Sequence, residues 1–381
     1  MARILRSLGL GLGGVALITA AAAATIAVVF ARAVVTPPRS RAQDVAILEV
    51  DDSTVTLSAT IDSLTPGRYS LWFAKDTGHA RIGEILEVTE TTVTRQLLGI
   101  DVGTLAGGTR GRLGAWFYLS PEGLGVEYQD VSIESELGAA PAWLIPAVKP
   151  TEDWVIQVHG RAVRRPETLR AVPVFRDAGY TSLVISYRND GEAPSTADNR
   201  YALGDAEWRD VESAMRYALD NGARRLVLMG WSMGGATVLQ AATRSSLAES
   251  VRGLVLDSPV VDWVTALRYQ GVAYRLPRPV RWAVLELLSR RWAGMLTGQR
   301  SPIDLKRLDL VARAASLTKP ILLMHSDDDG YVPASASIAL AAARPDIVTF
   351  ERFSTARHVR MWNYDPERWT TAIRTWLTTI R

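Results

Sequence analysis

The chain has 381 residues, 48% of them hydrophobic, with 43 Lys and Arg against 40 Asp and Glu, which is material for more than one domain and a sizeable core. Only Lys75, Lys149, Lys306 and Lys319 are lysines, the other cations are arginines, and no basic cluster is joined to a nucleic-acid motif, so the composition tells against nucleic-acid binding. The absence of cysteine excludes disulfides, thiolate metal ligands, a Cys nucleophile and a lipidated N-terminal Cys.

From Leu8 to Ala31 no charged residue occurs. As a helix this stretch would reach about 36 Å, enough to cross a bilayer. Arg3 and Arg6 before it, and Ala31-Arg32-Ala33 at its end, also fit a cleaved signal peptide. The apolar run exceeds the usual signal core, so the expectation is a retained single-pass cell-membrane anchor with the bulk of the chain outside the cytoplasm, or a secreted protein if cleavage occurs. Residues 1–35 are read as anchor or signal segment, and 36–42, with Pro37-Pro38, as linker.

Residues 43–119 carry strand-like runs separated by turn residues such as Thr65-Pro66-Gly67 and Asp76-Thr77-Gly78. Val55, Leu57, Ala59 and Ile61 alternate with polar residues, the period of a half-buried strand. A small all-β domain, barrel or sandwich, is predicted, acting as a spacer or a wall of the substrate entrance. His79 stands beside a turn and reads as a solvated loop residue.

After Pro121 strands alternate with helices, the pattern of a mostly parallel sheet flanked by helices. Strands are expected at Gly125–Glu134, Ala139–Pro146, Trp154–Val158, Thr181–Tyr187, Arg225–Trp231, Gly253–Asp257, Ile321–His325 and Ile347–Phe353. A helical insertion over 262–315 is read as a cap. Asp365 and Pro366 start the closing helix, whose inner stripe is Trp369, Ile373, Trp376, Leu377 and Ile380.

In Gly230-Trp231-Ser232-Met233-Gly234-Gly235 an apolar strand ends in glycines flanking a serine. Small residues two before and two after a side chain let backbone and helix crowd together at a sharp turn, so Ser232 is a candidate nucleophile. A serine hydroxyl needs an imidazole to take its proton and a carboxylate to orient that imidazole. Of the four histidines, His79 lies in the β domain and His159 and His325 end strands. His358, in the loop after the last strand, shares the carboxyl edge of the sheet with Ser232 and is the candidate base. For the acid, spacing leaves Asp327, Asp328, Asp329 and Asp257 open.

These stretches, with Val158-His159-Gly160, Leu323-Met324-His325-Ser326-Asp327-Asp328-Asp329, Val332-Pro333 and Ala356-Arg357-His358, resemble the α/β-hydrolase superfamily over about residues 121–381, most closely its membrane-associated esterase and serine-aminopeptidase-like branches. The resemblance implies an α/β-hydrolase fold with a helical cap, preceded here by the β domain and an N-terminal transmembrane helix. It selects Asp329 as the acid and implies the backbone N–H groups of Met233 and Arg161 as oxyanion donors, although Ala162 departs from a loop that is often glycine-rich. His159 is expected to be structural, and Asp190, Glu192 and Glu207 are assigned no role. The implied reaction is hydrolysis of a carboxylic ester through an acyl-enzyme on Ser232, with no metal or organic cofactor, on a small-molecule ester or amide. A peptidase or aminopeptidase, an acyltransferase, or a non-catalytic binding protein on the same fold are the alternatives. In the cap, Tyr274, Trp282, Leu285, Leu288, Trp292, Met295 and Leu296 are expected to pack inward with solvated arginines between them, the competing reading being an acyl-chain pocket or a lipid-facing surface.

Overall fold

Alternating Val, Leu and Thr along Thr54–Ser58 bury Val55 and Leu57 and leave Thr54, Thr56 and Ser58 half-buried, the signature of a strand with one face on a core. In the computed structural model, which describes residues 20–38 and 40–380, six such strands close into an antiparallel barrel. They are β1 (Val45–Val50), β2 (Thr54–Ser58), β3 (Tyr69–Phe73), β4 (Gly78–Val88), β5 (Thr92–Val102) and β6 (Thr109–Gly114), ordered β1-β2-β5-β4-β3-β6 with β6 returning to β1. Closure leaves no free sheet edge, and Val45, Ile47, Leu57, Tyr69, Leu71, Ile82 and Val93 fill the interior.

β4 begins at Gly78, read above as the end of a turn, which lies against the Phe73 ring where a Cβ would have no room. His79 is therefore not a solvated loop residue: it is 1% exposed, its Nδ1 is 2.8 Å from Asp101 Oδ2, and its ring meets Trp72 edge-on. Burial lowers its pKa, with Asp101 offsetting part of the effect.

The second half forms an eight-stranded sheet from β7 (Gln129–Ser135), β8 (Gly138–Ile145), β9 (Asp153–Val158), β10 (Thr181–Ile185), β11 (Arg225–Trp231), β12 (Val251–Asp257), β13 (Ile321–Ser326) and β14 (Val348–Phe353). Its order is β14-β13-β12-β11-β9-β10-β8-β7, parallel from β14 through β10, with β8 and β7 antiparallel. The central strands are covered on both faces, and their residues alternate between two cores. Leu226 and Leu228 face one layer, with α3 (Trp208–Asp220) and α4 (Met233–Arg244); Val227, Met229 and Trp231 face the other, with α2 (Val172–Asp177) and α10 (Pro366–Thr379). This is the expected α/β-hydrolase sheet. Asp365 caps α10 by accepting from the Arg368 amide, and Trp369, Ile373, Trp376 and Leu377 are its buried stripe.

The cap comprises α5 (Trp263–Ala273), α6 (Arg278–Ser289) and the short α7 (Gly294–Thr297). Of the apolar residues expected to pack inward, Leu288 is buried and Leu285 packs half-buried on the core, but Tyr274, Trp282, Trp292, Met295 and Leu296 are exposed. Among the described residues the expected transmembrane helix is not found either. Among the described residues no helix is long and apolar enough to cross a membrane, and residues 8–19 of the apolar stretch lie outside them. Residues 20–35 are helical (α1), and their final turns belong to the core of the α/β sheet, where Ala27, Ala31 and Val35 are at most 1% exposed and Phe30 packs edge-on to Tyr274 of the cap. Alanine and valine at these spacings suit a protein groove as well as lipid, which is why hydropathy alone did not separate the two.

The barrel is joined to the α/β domain through its 63–67 turn and Arg68. Arg95 on β5 is fully buried, donates to the carbonyls of Ser63, Thr65, Gly67 and Gly83 at 2.5–3.0 Å, and lies over Tyr69. Burial pushes its guanidinium down to about 10, with Tyr69 and Glu84 opposing. The turn it holds meets the short helix α9 (Met361–Tyr364): the Arg68 amide donates to Asn363 O, and Asn363 Nδ2 donates to the carbonyls of Arg68 and Ala115. Arg95→Met strands four buried carbonyls and is expected to cost about 3 kcal/mol or more of stability, read from urea unfolding.

Candidate active site

The β11–α4 turn is tight because its glycines leave no space for side chains. A Cβ on Gly230 would lie 2.4 Å from Gly234 O, and one on Gly234 would lie 2.2 Å from Val158 O; both contacts are with backbone, which cannot swing away. Ser232 takes φ 52° and ψ −116°, a conformation that costs about 1–3 kcal/mol and persists only where its surroundings enforce it. Here the Ser232 amide donates to Asp257 O, and the Ser232 carbonyl accepts from Gly235, Ala236 and Val260.

His358 is carried by the loop after β14, between two non-glycine residues with positive φ, Arg357 and Val359. Neighbouring groups hold this loop residue by residue. The Ala356 amide donates to Ser326 Oγ, Arg357 to Asp328 Oδ1 and Val359 to Ser258 Oγ, while Arg170 Nη1 donates to Val359 O. Arg360 pairs with Asp62 of the barrel at 2.9 Å. So clamped, His358 accepts from Ser232 Oγ through Nε2 at 2.9 Å and donates to Asp329 Oδ2 from Nδ1 at 2.6 Å. Tyr331 stacks on the imidazole at 5.7 Å between centroids.

The four aspartates left open by spacing have separate partners. Asp327 pairs at the surface with Arg352, Asp328 accepts from Ser326 and the Arg357 amide, and Asp257 accepts from Trp369 Nε1 and Ser258 Oγ. Only Asp329 meets His358. Its second oxygen accepts from the amides of Tyr331 and Val332, and the buried strand-end His325 stands 3.2 Å from the first. Burial alone would raise the Asp329 carboxyl, but the facing His358, with His325 beside it, holds it well below the ordinary carboxylate range. For His358 burial opposes the charged form, and the Asp329 carboxylate outweighs it, so its pKa is raised, with Glu167 and Asp257 contributing in the same direction.

The loop after β9 approaches from the other side: a Cβ on Gly160 would sit 3.3 Å from Ser232 Cβ. Met233 opens α4, where an amide has no intrahelical acceptor, and Arg161 follows Gly160 in this loop. Every group around Arg161 is tied down. Gly160 N–H donates to Glu167 Oε2, Tyr187 Oη donates to Gly160 O, and the Ala162 amide hydrogen-bonds the Tyr201 phenol. The Arg161 guanidinium donates to the carbonyls of Ala33, Val34 and Thr36 at the end of α1, a cation on the negative end of a helix, and lies over Tyr201. Ala162, the departure from a glycine-rich loop, adopts φ 63°, and Arg41 hydrogen-bonds its carbonyl.

Three acids judged to have no role are structural. Asp190 holds His159 Nε2 and the amides of Tyr187, Glu192 and Ala193; fully buried Glu207 holds the amides of Ala202 and Gly204; Glu192 pairs with Arg165. Glu167, under the Gly160 loop, was missed because a glutamate at a helix start looks solvated in sequence. Among the described residues no group of three or more His, Cys, Asp or Glu side chains is arranged to hold a metal ion.

Comparison with known proteins agrees with this architecture. Residues 46–114, the barrel, match a domain of unknown function, DUF8805, and residues 168–379 match the prolyl oligopeptidase family. The uncharacterized protein YqkD of Bacillus subtilis is 24% identical over 189 residues, 49% of this chain and 58% of that one; YfhR of Escherichia coli K12 is 27% identical over 127 residues, 32% of this chain and 44% of that one. The chain thus spans about half the length of the curated relatives it matches. Among solved structures, the Pyrococcus furiosus esterase Pf2001 superimposes with a TM-score of 0.54 at 19% identity, covering 69% of this chain and 95% of that one. Est1E of Butyrivibrio proteoclasticus, solved with ferulic acid bound, gives 0.51 at 17% identity, covering 66% and 98%. These two likenesses show the fold. With the family match spanning more than half of its residues, the chain belongs to the prolyl oligopeptidase family within the α/β-hydrolase superfamily.

Proposed function

We propose that the chain is a membrane-anchored serine hydrolase that cleaves a carboxylic ester through an acyl-enzyme on Ser232. The observation that carries this reading is the hydrogen-bonded series Ser232, His358, Asp329 on a strained elbow. His358 takes the Ser232 proton as Oγ attacks the acyl carbonyl, then delivers it to the leaving alcohol; water, activated by the same imidazole, releases the acid. Asp329 fixes the Nδ1–H tautomer and stabilises the imidazolium. The N–H groups of Met233 and Arg161 face the developing oxyanion. The N-terminal segment is the anchor, with the catalytic domain outside the cytoplasm. An ester is favoured over a peptide because the domain preceding the catalytic sheet is a single six-stranded barrel, too small to enclose a peptide.

Fluorophosphonate labelling of the wild type, lost in Ser232→Ala, tests the nucleophile; equal labelling of the two would sink the reading. Turnover of a p-nitrophenyl ester is expected to fall about a millionfold in Ser232→Ala and about ten-thousandfold in Asp329→Asn. Faster turnover of aminoacyl anilides than of p-nitrophenyl esters would assign a peptidase instead.

Arg161 is a positioning residue by its side chain as well as a donor by its backbone. Arg161→Met is expected to lower kcat by about a hundredfold with KM little changed, since a 1 Å misplacement is enough for that. Ala31→Arg, which unseats α1, is expected to give a similar loss and to be non-additive with it; additive losses would separate the helix from the loop.

Because the neutral imidazole is the base, kcat/KM falls as pH drops through the raised His358 pKa, so the acid limb lies above the ordinary histidine value of 6.5. Glu167→Gln keeps an acceptor for Gly160 N–H but removes a negative charge that favours the imidazolium. The acid limb is expected to move to lower pH; a pH-rate profile with an unmoved limb would show that Glu167 has no electrostatic hold on the base.

A further inference from the structure

Between Asp262 and Asp304 the cap carries seven arginines and a single acid, Glu286. Glu286 pairs with Arg290, four residues on. Arg268 of α5 and Arg278 and Arg281 of α6 instead converge with Trp282 and Leu285 on a cavity of about 270 Å3. None of the three is within ion-pair distance of a carboxylate among the described residues, and Arg281 Nε is buried without a hydrogen-bond partner. Gathering three guanidinium groups at one cavity is unfavourable unless an anion joins them. The Arg281 stem packs over Gly271, which has no side chain to obstruct it, so the geometry is held by the α5–α6 packing.

The surroundings say what carries that anion. Trp282 is 65% exposed at the cavity, and Val272 near the end of α5 and Tyr274 just after it are also exposed. Tyr274 touches Phe30 of α1, whose Ile26 and Val29 are exposed in turn, so the arginines adjoin the C-terminal part of the uncharged Leu8–Ala31 stretch. Exposed Trp and Tyr mixed with Arg is the composition of a surface at the depth of lipid headgroups. We propose that the Arg268, Arg278 and Arg281 cavity binds the phosphate of an anionic lipid headgroup, docking the cap on the membrane surface. The phosphate supplies the missing counter-charge and acceptors, and Trp282 and Tyr274 enter the interface beside it.

The absence of cysteine makes the test clean, because Val272→Cys places one environment-sensitive fluorophore next to the cavity of the full-length chain. The expected emission shifts to the blue, and is quenched by lipid-borne nitroxide, in phosphatidylcholine bilayers containing phosphatidylglycerol but not in phosphatidylcholine alone. This readout depends neither on hydrolysis nor on how the N-terminal segment is held. Replacing Arg268, Arg278 and Arg281 with glutamine is expected to reduce the ratio of docked to free cap by about fivefold per arginine, about a hundredfold together, with circular dichroism and melting unchanged. Equal emission in the two bilayers, or a full response from the triple variant, overturns the proposal. A rise in melting temperature with inorganic phosphate as large as that with anionic lipid, lost in the triple variant, overturns it in favour of a soluble anion.

Discussion

The candidate site depends on one close approach between backbones. Gly234 rests against Val158 O so closely that any side chain there would collide, and this contact brings the first turn of α4 up to the end of β9. From it follow the tight elbow, the left-handed Ser232 and the seat of the Gly160 loop beside the serine. Backbone contacts of this kind have no soft degree of freedom, so the geometry is set by sheet packing before any side chain chooses a rotamer. The strain at Ser232 is sustained by the bonds its own peptide groups make to Asp257, Gly235, Ala236 and Val260.

The opposite wall is built differently. His358 lies on a loop with positive φ on both sides, and its position is over-determined by groups from four places: Ser326 and Asp328 at and just after the end of β13, Ser258 after β12, Arg170 before α2, and Asp62 of the barrel through Arg360. The barrel is thus a brace for the His358 loop. Arg95 links the two roles, since the turn it holds inside the barrel is the surface that Asn363 grips.

The strand–helix alternation and the elbow were legible because each rests on a local pattern: period-two burial in the strands, glycines at fixed offsets around Ser232. Bringing His358 to Ser232 needed only the rule that parallel strands share a carboxyl edge. The acid was not legible from spacing, because Asp327, Asp328 and Asp329 are consecutive and differ only in where the turn points them; family resemblance chose among them. His79 was misread, Asp190 and Glu207 were given no role and Glu167 was missed, because a polar residue near a turn is usually solvated and nothing local reveals that another segment covers it. The same limit applies to Ala27, Ala31 and Val35. Their small apolar side chains fit a bilayer and a protein groove alike, and only the tertiary partner distinguishes them.

The 126-residue separation between Ser232 and His358 also sets a timetable. During synthesis the barrel, the elbow and the Gly160 loop are all made before the imidazole. At roughly 5 to 20 residues per second the interval is about 6 to 25 s, in which a folded elbow has no imidazole beside it. On the proposed mechanism a nascent or prematurely ended chain would therefore present an inert serine, activated only when β14 and its loop dock on the finished brace.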